Sequence, residues 1–381
     1  MRITGDWLTR PETRLVCDTL TGAGYQALFV GGCVRNALLG AAVGDVDIAT
    51  DAHPETVIAL ARDAGLKPVP TGIEHGTVTV VSGGVPHEVT SFRADTETDG
   101  RHARVVFGAD IAADARRRDF TMNALYARPD GTLVDPLGGL ADLRARRVRF
   151  IEDPARRIRE DYLRILRFFR FHAWYGDPEA GLDPAGYAAC AEAQEGLGAL
   201  SRERIGAEMR KLLSAPDPSP ALAAMQAAGI LHRVLPGAEA GAMAFLVHLE
   251  SETNTPADAL RRLALLGGEA AEDRLRLSRA EARRLALLRA GLAGSMPAAE
   301  LGYRFGARDG GDILLLRAAL GGSPPDPAAW QDLARGAAAV FPVRPADLMP
   351  ALSGPALGAR LRALEARWIA SGFTLRREDL L

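Results

Sequence analysis

The chain has 381 residues, 48% of them apolar, and a formal net charge of −2; this allows more than one buried core and excludes a histone-like basic protein that coats nucleic acid. Cys17, Cys33 and Cys190 are odd in number and widely spaced, which argues against a disulfide framework or a zinc site and fits a reducing cytoplasm. The polar start Met1-Arg-Ile-Thr-Gly-Asp-Trp7 is no secretion signal and no apolar run reaches bilayer length, so a cytoplasmic protein with no membrane association is expected.

Pro11 opens a helical pattern (Leu15, Val16, Leu20) that stops near Gly22 and Gly24. Next comes the stretch that organises the chain, Phe29-Val-Gly-Gly-Cys-Val-Arg-Asn-Ala-Leu-Leu-Gly40 followed by Gly44-Asp-Val-Asp-Ile-Ala-Thr50. A hydrophobic strand runs into paired glycines and a short helix, and a second strand then carries Asp45 and Asp47 at i and i+2, on one face of the pleat. Two such carboxylates repel unless a cation sits between them, and Mg²⁺ is the simplest partner. Gly31 and Gly32 allow backbone amides at a helix start to approach a triphosphate, with Arg35 as a fixed cation one turn on. Taken singly, Asp-Val-Asp is a common strand edge and Gly-Gly a common turn; order and spacing join them into a phosphoryl-transfer site.

This segment resembles the head of the class II nucleotidyltransferases, in the DNA polymerase β superfamily, which holds the CCA-adding enzymes and bacterial poly(A) polymerases. One departure is Asn36, where that family usually has Asp; the swap keeps size and hydrogen bonding but loses a charge, so Asn36 is not assigned to metal.

A second helix is expected from 51–54, with Val57, Ile58, Leu60 and Ala61 inside, ending at Gly65. Strands are expected at 67–70, 77–81 and 85–92, the last two joined by a hairpin at Ser82-Gly-Gly84. In the last strand Glu88 is either an ordinary exposed residue or the third carboxylate of a two-metal site. The resemblance favours the latter, because Glu88-Val-Thr-Ser-Phe-Arg93 is similar to the segment in which class II enzymes place their third acid. The polar run 94–104 reads as a mobile loop; the resemblance links a flexible loop here to addition of the terminal A. His102 within it reads as a surface histidine sooner than a general base.

Ala115-Arg-Arg-Arg-Asp-Phe-Thr-Met-Asn-Ala124 is either a solvated helix end with an N-cap aspartate or, as the resemblance implies, a sugar-recognition motif. On the second reading Arg118 and Asp119 hold the ribose and Asn123 positions the loop or sugar. Asp130-Gly131 makes a turn, and from 151 the sequence becomes helical. Asp153 and Pro154 open an expected helix running to about 174, with Ile158, Tyr162, Ile165, Leu166 and Phe169 on one face and Arg157, Asp161 and Arg164 as a separate stripe.

That stripe can be plain helix-surface ion pairs. Beside a nucleotide site it has a sharper use. C and A each offer an amino donor next to a ring-nitrogen acceptor, whereas U and G present the reverse, so a carboxylate beside a guanidinium suits C and A. Glu160-Asp-Tyr-Leu-Arg164 resembles the class II motif that acts as a protein template for the incoming base, with Arg167 as a buttress.

Residues 178–200 read as broken helix. Ser201-Arg-Glu-Arg-Ile-Gly-Ala-Glu-Met-Arg-Lys-Leu-Leu213 reads as a helix capped by Ser201 and resembles the last family motif. From 216 to 381 amphipathic Ala/Leu/Arg-rich helices are expected, including 274–291 and 356–368. Cations are nearly all arginine, with lysine only at Lys67 and Lys211, which suits contacts to RNA phosphates.

The expected fold is therefore an α+β nucleotidyltransferase head with a mixed sheet and flanking helices (1–150), then an all-α neck (151–213) and a helical body and tail (214–381). The resemblance implies addition of CCA to the 3′ end of tRNA from CTP and ATP, with Asp45, Asp47 and Glu88 holding Mg²⁺ and no protein partner. The alternatives are a poly(A) polymerase with the same head and a non-catalytic RNA-binding relative.

Overall fold

The computed structural model describes residues 1–99, 102–108, 110–349 and 351–381, with 94–99 and 102–106 described by their backbone. Chain contacts divide the protein into two compact units, one of Met1–Glu208 with Ala228–Arg233 and the other of Met209–Ala227 with Val234–Leu381.

The first unit is built on strands β1 (Leu28–Val30), β2 (Asp47–Thr50), β3 (Lys67–Gly72), β4 (Thr77–Ser82), β5 (Val85–Ser91), β8 (Tyr126–Ala127) and β9 (Leu133–Val134). They form one sheet in the order β3-β4-β5-β2-β1-β8-β9, in which β2 and β5 run parallel and the other pairings are antiparallel. This is the mixed sheet that the pattern of short β-branched runs implied. Gly83 and Gly84 take positive φ of 56° and 85° in the β4–β5 turn, the twist-matched conformation that a two-residue hairpin requires.

Helices α1 (Asp6–Thr9), α2 (Pro11–Gly22), α3 (Gly32–Leu38) and α4 (Pro54–Asp63) precede or interleave the strands. Val16, Leu20, Val57 and Ala61 are buried beside Val78, Val80 and Val89 of the sheet. Then come α5 (Ile111–Arg116), α6 (Gly139–Arg144), α7 (Pro154–Glu160), α8 (Leu163–Tyr175) and α9 (Pro184–Glu192). These helices belong to the same compact unit as the sheet. Phe120 and Phe150, paired across an isolated bridge, lie 4.9 Å apart between ring centroids, and Phe168 of α8 lies 5.4 Å from Phe150 and 6.3 Å from Phe120, so aromatic packing fixes α8 on the segment that leaves the sheet.

Two expectations fail here. The run expected as a loop is an antiparallel hairpin of β6 (Arg93–Asp99) and β7 (His102–Phe107), separate from the main sheet. The sequence 94–104 does not alternate large apolar with polar residues, so the period that marks a half-buried strand is missing. Gly100 and Arg101, inside that expected loop, and the side chain of His102 lie outside the described residues. The single helix expected over 154–174 is two, α7 and α8, broken at Asp161, whose φ and ψ are −156° and 105°. The Asp161 side chain accepts from Leu163 N at 3.1 Å, competing with a continuous helix.

α10 (Arg202–Leu213) starts with the Ser201 hydroxyl accepting from Arg204 N at 3.4 Å. The helices that follow are α11 (Ser219–Ala227), α12 (Ile230–Val234), α13 (Met243–Glu252), α14 (Ala259–Leu266), α15 (Ala271–Arg274), α16 (Arg279–Ala293), α17 (Ala298–Gly321), α18 (Pro327–Ala338), α19 (Gly354–Ala370) and α20 (Arg377–Leu380). The helix expected over 274–291 begins only at Arg279, after a Ser278–Glu281 capping box.

In the second unit α17 and α18 approach at glycines. A Cβ on Gly336 would overlap the carbonyl oxygen of Ala299, and one on Gly302 that of Leu333. Gly336→Ala is therefore expected to push the helices apart at a cost of about 1–3 kcal/mol. Thermal melting of the variant checks this, and an unchanged midpoint contradicts it.

Candidate active site

The turn after β1 carries the first part of the site. Gly31 has a φ of 70°, and a Cβ there would meet Arg118 Nη1 at 3.5 Å and the Asn123 carbonyl at 3.9 Å. The left-handed conformation calls for glycine, whereas the added Cβ would make only ordinary van der Waals contacts. α3 begins at Gly32.

The parallel pairing of β2 with β5 supplies the second part, because its register sets Asp47 directly beside Glu88. Asp47 is half-buried and Glu88 exposed. Burial raises the Asp47 carboxyl to about 6, Glu88 and Asp45 push the same way, and Arg118 opposes them. Asp45 precedes the strand on an exposed segment. Asp47 and Glu88 are thus brought together, while Asp45 acts on Asp47 from the rim. Among the described residues no three His, Cys, Asp or Glu side chains are gathered into a ready metal cluster. The donor set still fits a hard divalent cation, since adjacent carboxylates in an open position, one resisting ionisation, are what such an ion would relieve.

Arg35 is buried, 6% exposed, and its guanidinium is fully engaged. Nη1 donates to Asn123 Oδ1 at 2.6 Å, Nη2 donates to the Tyr175 hydroxyl at 2.8 Å, and Nε and Nη2 donate to Asn36 Oδ1 at 3.2 and 3.0 Å. Its Cζ lies 4.0 Å from the Tyr175 ring centroid. Asn36 in turn donates to the Ala42 carbonyl at 2.9 Å. The amide at this position is thus a neutral brace for Arg35 and for the chain leading to Asp45.

Arg118 faces the Gly31 turn. Its other nitrogens donate to the Tyr126 hydroxyl and to Asp114, both at 3.2 Å. Asp119 accepts from Asn123 Nδ2 at 2.8 Å, Phe120 N at 2.9 Å and Arg167 Nε at 2.7 Å. Burial would raise its carboxyl, but Arg167 and these donors hold it at about 2. Asn123 therefore bridges Asp119 and Arg35, so the two expected binding segments share one hydrogen-bonded chain.

At the break between α7 and α8, Arg164 donates to Glu160 Oε2 at 2.6 Å, to the Arg157 carbonyl at 2.7 Å and to the Arg117 carbonyl at 3.2 Å. Arg157 pairs with Glu160 and donates to the carbonyls of Arg117 and Arg118. Asp161 pairs with Arg204 instead, at 2.7 Å. The expected stripe of Arg157, Asp161 and Arg164 on one helical surface is thus replaced by a helix break, with Glu160 as the shared carboxylate.

Sequence reasoning missed Asp114, Tyr126, Tyr175, Arg204 and Glu208. Asp114 had a local signal, lying three and four residues before Arg117 and Arg118, to which it is paired. Tyr175 had none, standing 140 residues from Arg35. Glu208 accepts from Arg170 at 2.5 Å, across 38 residues.

No helix among the described residues is long and apolar enough to cross a membrane. Residues 27–149 match the family described as the poly A polymerase head domain, and 181–241 the one described as a probable RNA and SrmB-binding site of polymerase A. The chain is 40% identical over 215 residues to a CCA-adding enzyme of Lacticaseibacillus paracasei, covering 55% of this chain and 52% of that protein. It is 41% identical over 190 residues to human CCA tRNA nucleotidyltransferase 1, mitochondrial, covering 50% and 44%. The matched stretch spans about half the length of these curated relatives. The fold is similar to that of the Bacillus stearothermophilus CCA-adding enzyme solved with CTP, at a TM-score of 0.76 and 31% identity, covering 94% of this chain and 92% of that one. With that likeness running through nearly the whole of both chains, this protein belongs to the nucleotidyltransferase family of the CCA-adding enzymes and poly(A) polymerases.

Proposed function

We propose that this chain adds C, C and A to the 3′ end of tRNA, taking CMP from CTP and AMP from ATP and releasing pyrophosphate. The observation that carries the reading is the Asp47–Glu88 pair on adjacent parallel strands, with Arg118 acting on Asp47 by its charge and lying against the Gly31 turn. Names of similar proteins support the choice of substrates: relatives carry the name CCA-adding enzyme, and one solved structure holds CTP.

In this reading Asp45, Asp47 and Glu88 hold Mg²⁺, which when bound supplies positive charge for the attacking 3′-hydroxyl and the leaving pyrophosphate. Gly31 and Gly32 bring backbone N–H groups to the triphosphate. Arg35 fixes the wall behind them through Asn123 and Asn36. Arg118 and Asp119 hold the ribose, with Asn123 positioning the sugar and Arg167 bracing Asp119. Asp161 accepts from the exocyclic amino group of C or A, and Arg164, held by Glu160, donates to the ring nitrogen. We assign these roles to a head (1–150) and neck (151–213), with a body and tail (214–381) that hold tRNA through arginine contacts to backbone phosphates. The site of action is the cytoplasm.

The test is incubation with tRNA lacking CCA, Mg²⁺, and CTP or ATP singly and together. Ordered addition of C, C and A is expected. Long A tails from ATP alone would transfer the assignment to poly(A) synthesis, and no incorporation would leave an RNA-binding relative.

A further inference from the structure

Three guanidinium groups surround the ring of Phe171 in α8: the Cζ of Arg170 lies 4.4 Å from its centroid, that of Arg35 5.1 Å and that of Arg167 5.2 Å. Two of them have carboxylate partners, Asp119 for Arg167 and Glu208 for Arg170, each at 2.5 Å. Among the described residues Arg35 has no such partner: its acceptors are Asn36 Oδ1, Asn123 Oδ1 and the Tyr175 hydroxyl, all neutral. Neutral dipoles satisfy the donors of a buried cation but leave its charge uncancelled. Burial accordingly pulls its pKa below the ordinary value, with Tyr175 and Asp119 opposing.

That charge sits at the glycine turn, since a Cβ on Gly32 would lie 3.9 Å from Arg35 Nη2. The same nitrogen donates to the Tyr175 hydroxyl at 2.8 Å, and the guanidinium carbon lies 4.0 Å from the Tyr175 ring centroid. Tyr175, the last residue of α8, thus gives Arg35 both an aromatic face and an acceptor without giving it a counter-charge. We infer that Tyr175 is a positioning residue for the triphosphate: it holds Arg35 at the Gly31–Gly32 turn with its charge uncancelled, so that the anionic phosphate chain supplies the missing counter-charge. This rests on the nucleotide-binding role proposed above for that turn. The base is read elsewhere, at Asp161 and Arg164, so the choice of C over U does not depend on Tyr175. Removing the hydroxyl takes an acceptor from Arg35 Nη2, and removing the ring as well takes its cover.

Tyr175→Phe, which keeps the ring, and Tyr175→Leu, which keeps neither feature, are compared with the wild-type full chain in two measurements. One is calorimetric titration with tripolyphosphate and Mg²⁺, a probe with no base or sugar; the other is steady-state incorporation on tRNA lacking CCA. Phenylalanine is expected to weaken tripolyphosphate binding about fivefold and leucine about twentyfold. KM for CTP and ATP rises by the same factors, with kcat within about twofold and the preference for CTP over UTP unchanged. If leucine prevents folding, phenylalanine alone decides. Wild-type tripolyphosphate affinity in the folded variants overturns the inference, as do a wild type with no measurable affinity for tripolyphosphate and a loss that falls on nucleotides but not on tripolyphosphate. A wild type that binds tripolyphosphate yet incorporates no nucleotide defeats the transfer reading, and the titration still decides the role of Tyr175. An active wild type beside variants of unaltered affinity defeats only that role.

Discussion

Asp47→Asn is expected to abolish nucleotide incorporation, by about a thousandfold or more, and at the same time to raise the melting temperature of the metal-free protein at pH 8. The loss of activity follows from removing the buried member of the acidic pair. The gain in stability follows from the direction of its ionisation. Burial, then Glu88, raises the Asp47 carboxyl from 3.8 to about 6. A carboxyl raised on folding binds its proton more tightly in the folded state, so its favourable contribution is present below the unfolded value and is lost as pH rises through about 6. Above that pH the ionised Asp47 weighs against folding. Asparagine carries no such charge.

The rise from 3.8 to about 6 sets an upper bound of about 3 kcal/mol; solvent reaching the half-buried site reduces this to about 1–2 kcal/mol. Melts in EDTA should show the variant ahead by several degrees at pH 8 and level with wild type below about pH 4. Added Mg²⁺ should raise the wild-type midpoint and leave that of Asp47→Asn unchanged. A variant less stable than wild type at pH 8 would contradict this picture of the site.

Glu250→Ala is expected to cost about 3–5 kcal/mol and to unfold the second unit at a much lower denaturant concentration. Arg261 and Arg262 are 2% and 1% exposed and share Glu250, with Arg261 Nε on Oε1 at 2.9 Å and Arg262 Nη2 on Oε2 at 2.6 Å. Arg261 also has Asp312 at 2.6 Å, and Arg284 binds Asp312, Asp258 and Asp309. Among the described residues Arg262 has no second carboxylate beside it; its remaining partners are the carbonyls of Leu213, Ala215 and Pro216. Dipoles alone compensate a buried cation poorly, which is why the loss falls mainly on Arg262. Denaturant unfolding followed by circular dichroism measures it, and a loss under about 1 kcal/mol would show that solvent or a neighbouring carboxylate takes over.

The sheet was legible because its strands are half-buried and alternate, as at Thr77, Val78, Thr79 and Val80, and because Gly83-Gly84 states its own turn. The pairing of Asp47 with Glu88 was legible only as an expectation of proximity, since register is set by long-range packing. The sequence 94–104 has no large apolar residue alternating with polar ones, so the β6–β7 ribbon left no period to read. The break at Asp161 was hidden because Ile158, Tyr162, Ile165 and Phe169 keep helical spacing across it; a side chain capping the N–H two residues on interrupts the helix without changing that spacing. Arg261 and Arg262 carry the signature of a solvated helix surface, and only the carboxylates on other helices reveal them as buried. Asn36, where a carboxylate was expected, is explained by its hydrogen bonds to Arg35 and to the Ala42 carbonyl.

The pairing of a carboxylate metal site with a glycine turn is tested most directly by locating an ion. Crystals grown with CTP and Mn²⁺ in place of Mg²⁺ should give an anomalous difference peak within coordination distance of Asp47 and Glu88, with phosphate density against Gly31 and Gly32. A peak elsewhere, with Asp47 and Glu88 free of metal, would contradict it.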